Sequence, residues 1–124
     1  MPASGKKILL IDDEIDLAKI VKERLEAAGY TVLWASNGYE GIKTAVKENP
    51  DLILLDILMP KMDGFETLQA LKSGMQTWGI PVVMLSIKAE SDALFKAREL
   101  GAADYFIKTD DWKDLLKYIE RYIS

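Results

Sequence analysis

A chain of 124 residues with 49% hydrophobic and 29% charged residues has the composition of an ordinary globular protein, and a single domain over residues 1–124 is expected. The net charge of −4 gives no electrostatic case for binding nucleic acid or an anionic membrane, and no apolar stretch matches a signal peptide or a membrane span, so a cytoplasmic location is expected. Because the chain has no Cys and no His, its composition excludes disulfides, thiolate metal sites, a cysteine nucleophile and the usual general base.

Short apolar runs alternate with longer segments of helical period, which is typical of a repeated strand–helix unit. The first strand is predicted over 7–11, and the helix that follows over 14–28 ends at Gly29. The later elements are predicted as a strand over 31–35, a helix over 39–48, a strand over 52–55, a helix over 65–72, a strand over 81–85, a helix over 91–100, a strand over 104–107 and a helix over 112–122. The fold class is therefore α/β. By analogy with doubly wound proteins, we expect a parallel flavodoxin-like sheet of order 2-1-3-4-5 with five helices on its two faces.

Four apolar runs end at polar residues that suit phosphate or Mg²⁺ chemistry. In chain order these residues are Asp12 with Asp13, Asp56, Ser86 and Lys108. The carboxyl ends of parallel strands lie at one edge of a sheet, and ligands of open α/β sheets bind at that edge. We therefore expect these side chains to converge.

Three neighbouring carboxylates repel one another, and a bound cation is the natural compensation. Oxygen ligands of this kind favour Mg²⁺. The hydroxyl of Ser86 and the ammonium of Lys108 suit the oxygens of a phosphoryl group on Asp56, since carboxylates are established nucleophiles in phosphoryl transfer. Taken singly, each residue has a simpler interpretation as a helix cap, a loop residue or a solvated charge. Their joint occurrence at four strand ends favours a shared site.

The same residues resemble the receiver domain of two-component response regulators. The resemblance covers residues 7–122 and is carried by Asp12-Asp13-Glu14, the run 56–64, Gly101-Ala102-Ala103-Asp104-Tyr105 and Lys108. It implies a signalling switch rather than an enzyme: Asp56 accepts a phosphoryl group from the phosphohistidine of a sensor histidine kinase or phosphotransfer protein, in a Mg²⁺-dependent reaction. A downstream effector or output domain then responds to the change.

The resemblance also implies a metal-binding role for four residues. Asp13 and Asp56 would ligate Mg²⁺ through their side chains, and Leu58 through its backbone carbonyl. Asp12 would act mainly through metal-bound water.

Two further residues match the switch positions of the family. Ser86, together with Lys108, would contact the phosphoryl oxygens. Tyr105 would turn inward when the hydroxyl of Ser86 moves to the phosphate, and its simpler interpretation is an aromatic packed permanently at the surface. The surface expected to change comprises the fourth helix, the fifth strand and the last helix.

Three residues depart from the family pattern. Thr109 stands where Pro usually follows the Lys, and a cis bond before a non-proline residue costs about 2.5–4 kcal/mol, so we predict a trans Lys108–Thr109 bond, or else a strained one. Ile87 replaces a small residue and narrows access to the site. Leu58 presents an apolar side chain that cannot orient water. From these last two residues we expect slow loss of the phosphoryl group.

Three other functions are compatible with parts of the sequence. An aspartate-nucleophile phosphatase or phosphotransferase tends to carry a D-x-D pattern after its first strand, and here that strand ends at Asp12-Asp13-Glu14. A flavin-binding protein needs a phosphate loop rich in hydroxyl groups and Gly where this chain has acids. A degenerate receiver that acts as a protein-interaction module without phosphorylation stays open because of Thr109.

Overall fold

A computed structural model describes residues 5–87, 90–108 and 111–123. Strands and helices alternate along the chain, as the apolar pattern predicts. In order they are β1 (Lys7–Ile11), α1 (Ile15–Ala27), β2 (Thr31–Ala35), α2 (Gly38–Glu48), β3 (Leu52–Asp56), α3 (Gly64–Ser73), β4 (Val82–Ser86), α4 (Ser91–Glu99), β5 (Asp104–Ile107) and α5 (Trp112–Glu120).

The five strands form one parallel sheet of order β2-β1-β3-β4-β5. The predicted α/β class and strand order are therefore confirmed. The central strand β3 lies between β1 and β4, where Leu54 is paired with Leu10 on one side and Val83 on the other. Every residue of β3 is buried, because helices cover both faces of the sheet.

Alternate residues of β1 fill two separate cores on the two faces of the sheet. Ile8 and Leu10 pack with residues of α1 and α5. Leu9 and Ile11 pack with residues of α2, α3 and α4. Because the side chains of β1 alternate between the two faces of the sheet, helices pack against this strand from both sides. This packing fixes the position of its carboxyl end, where the polar residues lie.

Two helices begin one residue earlier than predicted, and a cap explains each. The Asn37 side chain accepts a hydrogen bond from the Glu40 N–H at 2.9 Å, so α2 begins at Gly38. Asp63 and Glu66 form a capping box, so α3 begins at Gly64. Of the remaining helix boundaries, the end of α2 and the starts of α4 and α5 agree with the prediction, and the others differ by one or two residues.

Strands β3 and β4 each continue one residue beyond the predicted end. Asp56 is paired with Leu85, and Ser86 with Ile107, so both polar residues belong to the ladder itself. The predicted start of β4 at Pro81 is wrong by one residue, since Pro has no N–H to donate to a neighbouring strand. Two of the predicted site residues are thus held directly by the sheet.

Among the residues that the structure describes, no helix has the length and apolar character needed to cross a membrane.

Candidate functional site

Backbone hydrogen bonds fix the loop that follows β1. The Asp12 N–H donates to the Ala35 carbonyl of β2 at 3.1 Å. The Asp12 side chain accepts a hydrogen bond from the Glu14 N–H through Oδ1 at 2.9 Å. Asp12 is 1% exposed and the neighbouring Asp13 is half-buried. The loop therefore directs one acid into the protein and leaves the next within reach of solvent.

The structure brings together the three predicted carboxylates. One oxygen from each of Asp12, Asp13 and Asp56 lies within 4.8 Å of the other two. Asp56 is only 4% exposed, and buried carboxylates are rare unless a cation or a hydrogen-bond donor compensates them. An all-oxygen set with two buried carboxylates and one half-buried one fits Mg²⁺. The convergence predicted from the strand ends is present, while the metal-binding roles stay predictions.

The ammonium of Lys108 lies among these acids. Its Nζ is 3.1 Å from Asp12 Oδ2, 3.2 Å from Asp56 Oδ1 and 3.4 Å from Glu14 Oε1. The Lys108 N–H donates to the Ser86 carbonyl at 2.6 Å, which joins the ends of β4 and β5 beside the site. The ammonium is thus shared by three carboxylates. Its predicted contact with phosphoryl oxygens stays a prediction.

Glu14 also belongs to this cluster, although the sequence indicates it only as part of the motif Asp12-Asp13-Glu14. Glu14 is the N-cap residue of α1, and more than half of its side chain is exposed. It therefore contacts Lys108 from the solvent side, whereas Asp12 and Asp56 contact the ammonium from within. The available signal was its position two residues after Asp12, at the mouth of the predicted site.

Burial and charge shift the pKa values of two groups at the site. Burial raises the pKa of Asp56 from 3.8 to about 7; Lys108 opposes this shift, and the Asp12 carboxylate adds to it. Burial acts to lower the pKa of Lys108, but the carboxylates of Asp56 and Asp12 outweigh it, so that this pKa is raised. Lys108 consequently stays charged, whereas burial makes ionisation of the Asp56 carboxyl group unfavourable.

A close backbone approach positions the loop after Asp56. The Gly64 N–H donates to the Ile57 carbonyl at 2.8 Å. A Cβ at position 64 would lie 2.3 Å from the Asp56 carbonyl oxygen and 2.6 Å from Ile57 Cα, so only Gly fits without a backbone shift. This loop also carries Leu58, a residue that is 68% exposed. The predicted role of its carbonyl stays a prediction.

The two predicted switch residues lie on one face of the sheet. Tyr105 is paired with Met84 and Ile107 with Ser86, so the side chains of Tyr105 and Ser86 project from the same face of neighbouring strands. Tyr105 is half-buried and lines a groove of about 440 Å³ between α4 and β5. Tyr105 thus borders an open groove, and the switch itself stays a prediction. The predicted trans bond between Lys108 and Thr109 lies outside the described residues.

The order of the elements and the residues at their ends have a counterpart in known proteins. A family model for the response regulator receiver domain matches residues 8–120. The chain belongs to the response regulator receiver family. The recognition made from the sequence motifs is therefore confirmed, while a single domain over all 124 residues stays a prediction.

Several regulators are similar to this receiver domain. The alkaline phosphatase synthesis transcriptional regulatory protein PhoP of Bacillus subtilis is 43% identical over 104 residues, which are 84% of this chain and 42% of PhoP. The phosphate regulon transcriptional regulatory protein PhoB of Pseudomonas aeruginosa is 38% identical over 112 residues, which are 90% of this chain and 49% of PhoB. The receiver domain thus spans less than half the length of either relative.

Solved structures agree with this assignment. The chemotaxis protein CheY4 of Vibrio cholerae, in a structure from crystals grown at low pH, has a TM-score of 0.92 and 31% identity. The match covers 97% of this chain and 100% of that protein. The receiver fold is therefore shared along nearly the whole chain.

Proposed function

We propose that this receiver domain is a phosphoryl-accepting signalling switch and that Asp56 is the phosphorylated residue. The observation that supports the proposal best is the environment of Asp56. This buried carboxylate lies 3.2 Å from the Lys108 ammonium and within 4.8 Å of oxygens from Asp12 and Asp13. The proposed nucleophile, a cationic group and the acids for a divalent ion thereby lie together at one edge of the sheet.

Asp12, Asp13 and Asp56 would hold Mg²⁺, with Leu58 contributing its carbonyl. When bound, the ion would neutralise negative charge on the reacting phosphoryl oxygens. A lone pair of an Asp56 oxygen attacks phosphorus, and the P–O bond forms as the P–N bond to the donor imidazole breaks. The imidazole nitrogen leaves with the electron pair of that bond. The reaction needs no base from this chain, which agrees with the absence of His.

Lys108 and Ser86 would bind the phosphoryl oxygens on Asp56. Because Lys108 is shared by three carboxylates, its ammonium is already within reach of the added charge. Ser86 lies at the end of β4, and Tyr105 projects from the same face of β5 beside an open groove. A shift of Ser86 toward the phosphoryl group would favour an inward position of Tyr105 and alter the surface formed by α4, β5 and α5.

The partners follow from the family and from its longer members. The phosphoryl donor would be a sensor histidine kinase or a phosphotransfer protein. PhoP and PhoB are named as transcriptional regulators and are about twice as long as the matched region, so a downstream effector or an output domain would respond to the surface of α4, β5 and α5. The proposed role needs no direct contact of this domain with nucleic acid or membrane.

Phosphorylation is tested by intact mass after incubation with Mg²⁺ and acetyl phosphate. The wild type should gain one phosphoryl group and Asp56→Asn should gain none. Asp92→Asn is the matched control because Asp92 lies exposed in the first turn of α4 and is not one of the three clustered acids, and this variant should react like the wild type.

A wild type that binds Mg²⁺ but gains no phosphoryl group would contradict the proposal. That result would favour the degenerate receiver, a protein-interaction module that works without phosphorylation. A gain that persists in Asp56→Asn would assign the phosphoryl group to another residue.

A further inference from the structure

An indole group extends the hydrogen bonding between β1 and β2 toward the acidic site. The paired residues of these strands end with Ile11 opposite Ala35, and the Asp12 N–H donates to the Ala35 carbonyl at 3.1 Å. One step further, the Trp34 Nε1–H donates to the Asp12 carbonyl at 2.9 Å. A side chain of the edge strand thus makes a hydrogen bond at a point where the backbone ladder has ended.

This carbonyl belongs to the peptide unit that joins Asp12 to Asp13. A peptide unit is planar, so a hydrogen bond that holds its oxygen also restricts the direction in which the chain continues to Asp13 Cα. Among the residues that the structure describes, the Trp34 indole is the donor found for this oxygen. The bond therefore bears on the position of Asp13 rather than on that of Asp12 alone.

The other polar atoms of Asp12 have partners of their own. Oδ1 accepts from the Glu14 N–H, and Oδ2 lies 3.1 Å from the Lys108 ammonium. Loss of the indole bond would leave these contacts in place and would free only the Asp12–Asp13 peptide. We therefore expect the Asp13 side chain to change direction, while the side-chain contacts of Asp12 change little.

We propose that Trp34 is a positioning residue for the divalent-cation site, which orients Asp13 through the Asp12–Asp13 peptide. This inference rests on the proposed function, since it assumes that Asp13 ligates the ion. Trp34 also packs against the core cluster on the α1 and α5 face. A test must therefore separate cation binding from stability.

The first measurement uses the wild-type protein and nuclear magnetic resonance of its three indole N–H groups during a Mg²⁺ titration. The Trp34 signal should shift with the same dissociation constant as the Asp13 amide signal. Trp78 lies exposed between α3 and β4, where the chain enters the amino end of β4, whereas the acids lie at the carboxyl ends of the strands. The chemical shift of its indole N–H should not change. A stationary Trp34 signal alongside a shifting Asp13 signal would overturn the inference.

The second measurement compares Trp34→Phe with the matched control Trp78→Phe. Phe keeps an aromatic ring but lacks the N–H donor. Trp34→Phe should weaken Mg²⁺ binding by about tenfold, the lower end of the usual effect of groups that orient metal ligands, and Trp78→Phe should leave it unchanged. Urea unfolding in EDTA should report a folded protein for both variants.

The possible failures are distinguishable. If the wild type shows no Mg²⁺-dependent shift at the Asp13 amide, the proposed function fails, and the role of Trp34 fails with it. If the wild type binds Mg²⁺ and Trp34→Phe binds it equally well, only the positioning role is refuted. Equal weakening in Trp34→Phe and Trp78→Phe would also refute that role, because the effect would not depend on the bond to Asp12.

Discussion

Replacement of Asp56 by Asn is expected to stabilise the Mg²⁺-free protein, and increasingly so as the pH rises from 4 to 7. The pKa of Asp56 is about 7 in the folded protein, against 3.8 for an ordinary Asp side chain, because the carboxylate is buried and lies near Asp12. Between these values the folded state holds a proton that the unfolded state has lost. The contribution of Asp56 to stability is therefore fully present below pH 3.8 and is lost as the pH rises toward 7.

The magnitude follows from the same pKa values. A difference of about 3 pKa units, at about 1.4 kcal/mol per unit, is a loss of about 4 kcal/mol in the free energy of unfolding by pH 8. Asn carries no charge at any pH and escapes this loss. The difference in free energy of unfolding between Asp56→Asn and the wild type should thus increase by about 1.4 kcal/mol per pH unit up to pH 7, then level off.

Urea unfolding in EDTA at pH 5, 6, 7 and 8 measures this difference. The chain is well suited to the experiment because it has no His and no Cys, so few other groups titrate in this interval. Asp92→Asn, at an exposed position, is the control and should differ from the wild type by a constant small amount. A difference between Asp56→Asn and the wild type that is independent of pH, or that grows toward low pH, would refute the reasoning.

Four further predictions concern the same site. Mg²⁺ affinity should fall about tenfold per pH unit below pH 7, because a proton on Asp56 competes with the ion, and calorimetric titration at pH 6 and 8 measures this. Lys108→Ala should reduce the free energy of unfolding by about 3–5 kcal/mol at pH 8, since Asp56 and Asp12 lose the ammonium between them; the loss in urea unfolding should be smaller at pH 5. Gly64→Ala should cost about 2 kcal/mol or more and weaken Mg²⁺ binding, because its Cβ meets the Asp56 carbonyl. Leu58→Asn should shorten the lifetime of the phosphoryl group, which intact mass can follow, because an amide can orient water where Leu cannot.

Each of these predictions has a control or a contradicting result. Equal Mg²⁺ affinity at pH 6 and pH 8 would contradict the proton competition, and full stability of Lys108→Ala at pH 8 would contradict the shared ion pair. Gly79→Ala is the control for Gly64→Ala, since a Cβ at position 79 meets nothing within 4 Å and should be tolerated. Met75→Asn controls for Leu58→Asn, because Met75 is also exposed but lies after α3. A phosphoryl lifetime of seconds in the wild type would contradict the expected slow loss.

The order of the elements could be predicted from local patterns, and the convergence of the acids from the way parallel strands end at one edge of a sheet. The run 52–55 is apolar throughout, which indicates a strand buried on both faces, and a parallel sheet places the ends of such strands at one edge. The strand order taken by analogy makes β1 and β3 neighbours, and this pairing brings Asp12, Asp13 and Asp56 together. The family motifs then identified the chemistry that such an edge supports.

Three contacts at the site could not be predicted in the same way. Glu14 and Lys108 are 94 residues apart, so their approach depends on the tertiary fold. The clash at position 64 depends on the distance between the start of α3 and the end of β3. A Gly in a turn sequence does not reveal that distance. The bond from Trp34 to Asp12 becomes visible only when the register of β1 against β2 is known. Each is a side-chain or backbone approach that local propensity does not determine.

The shared ion pair also connects the chemistry of the site to the surface that would change. Lys108 follows β5 directly, and Tyr105 lies on that strand, so the ammonium and the proposed switch residue belong to one short segment. A phosphoryl group on Asp56 can act only through contacts that differ between two arrangements of this segment, and a nearly complete shift requires about 5.5 kcal/mol. The contacts of Lys108, Ser86 and Tyr105 must therefore differ together by about 5.5 kcal/mol between the two arrangements.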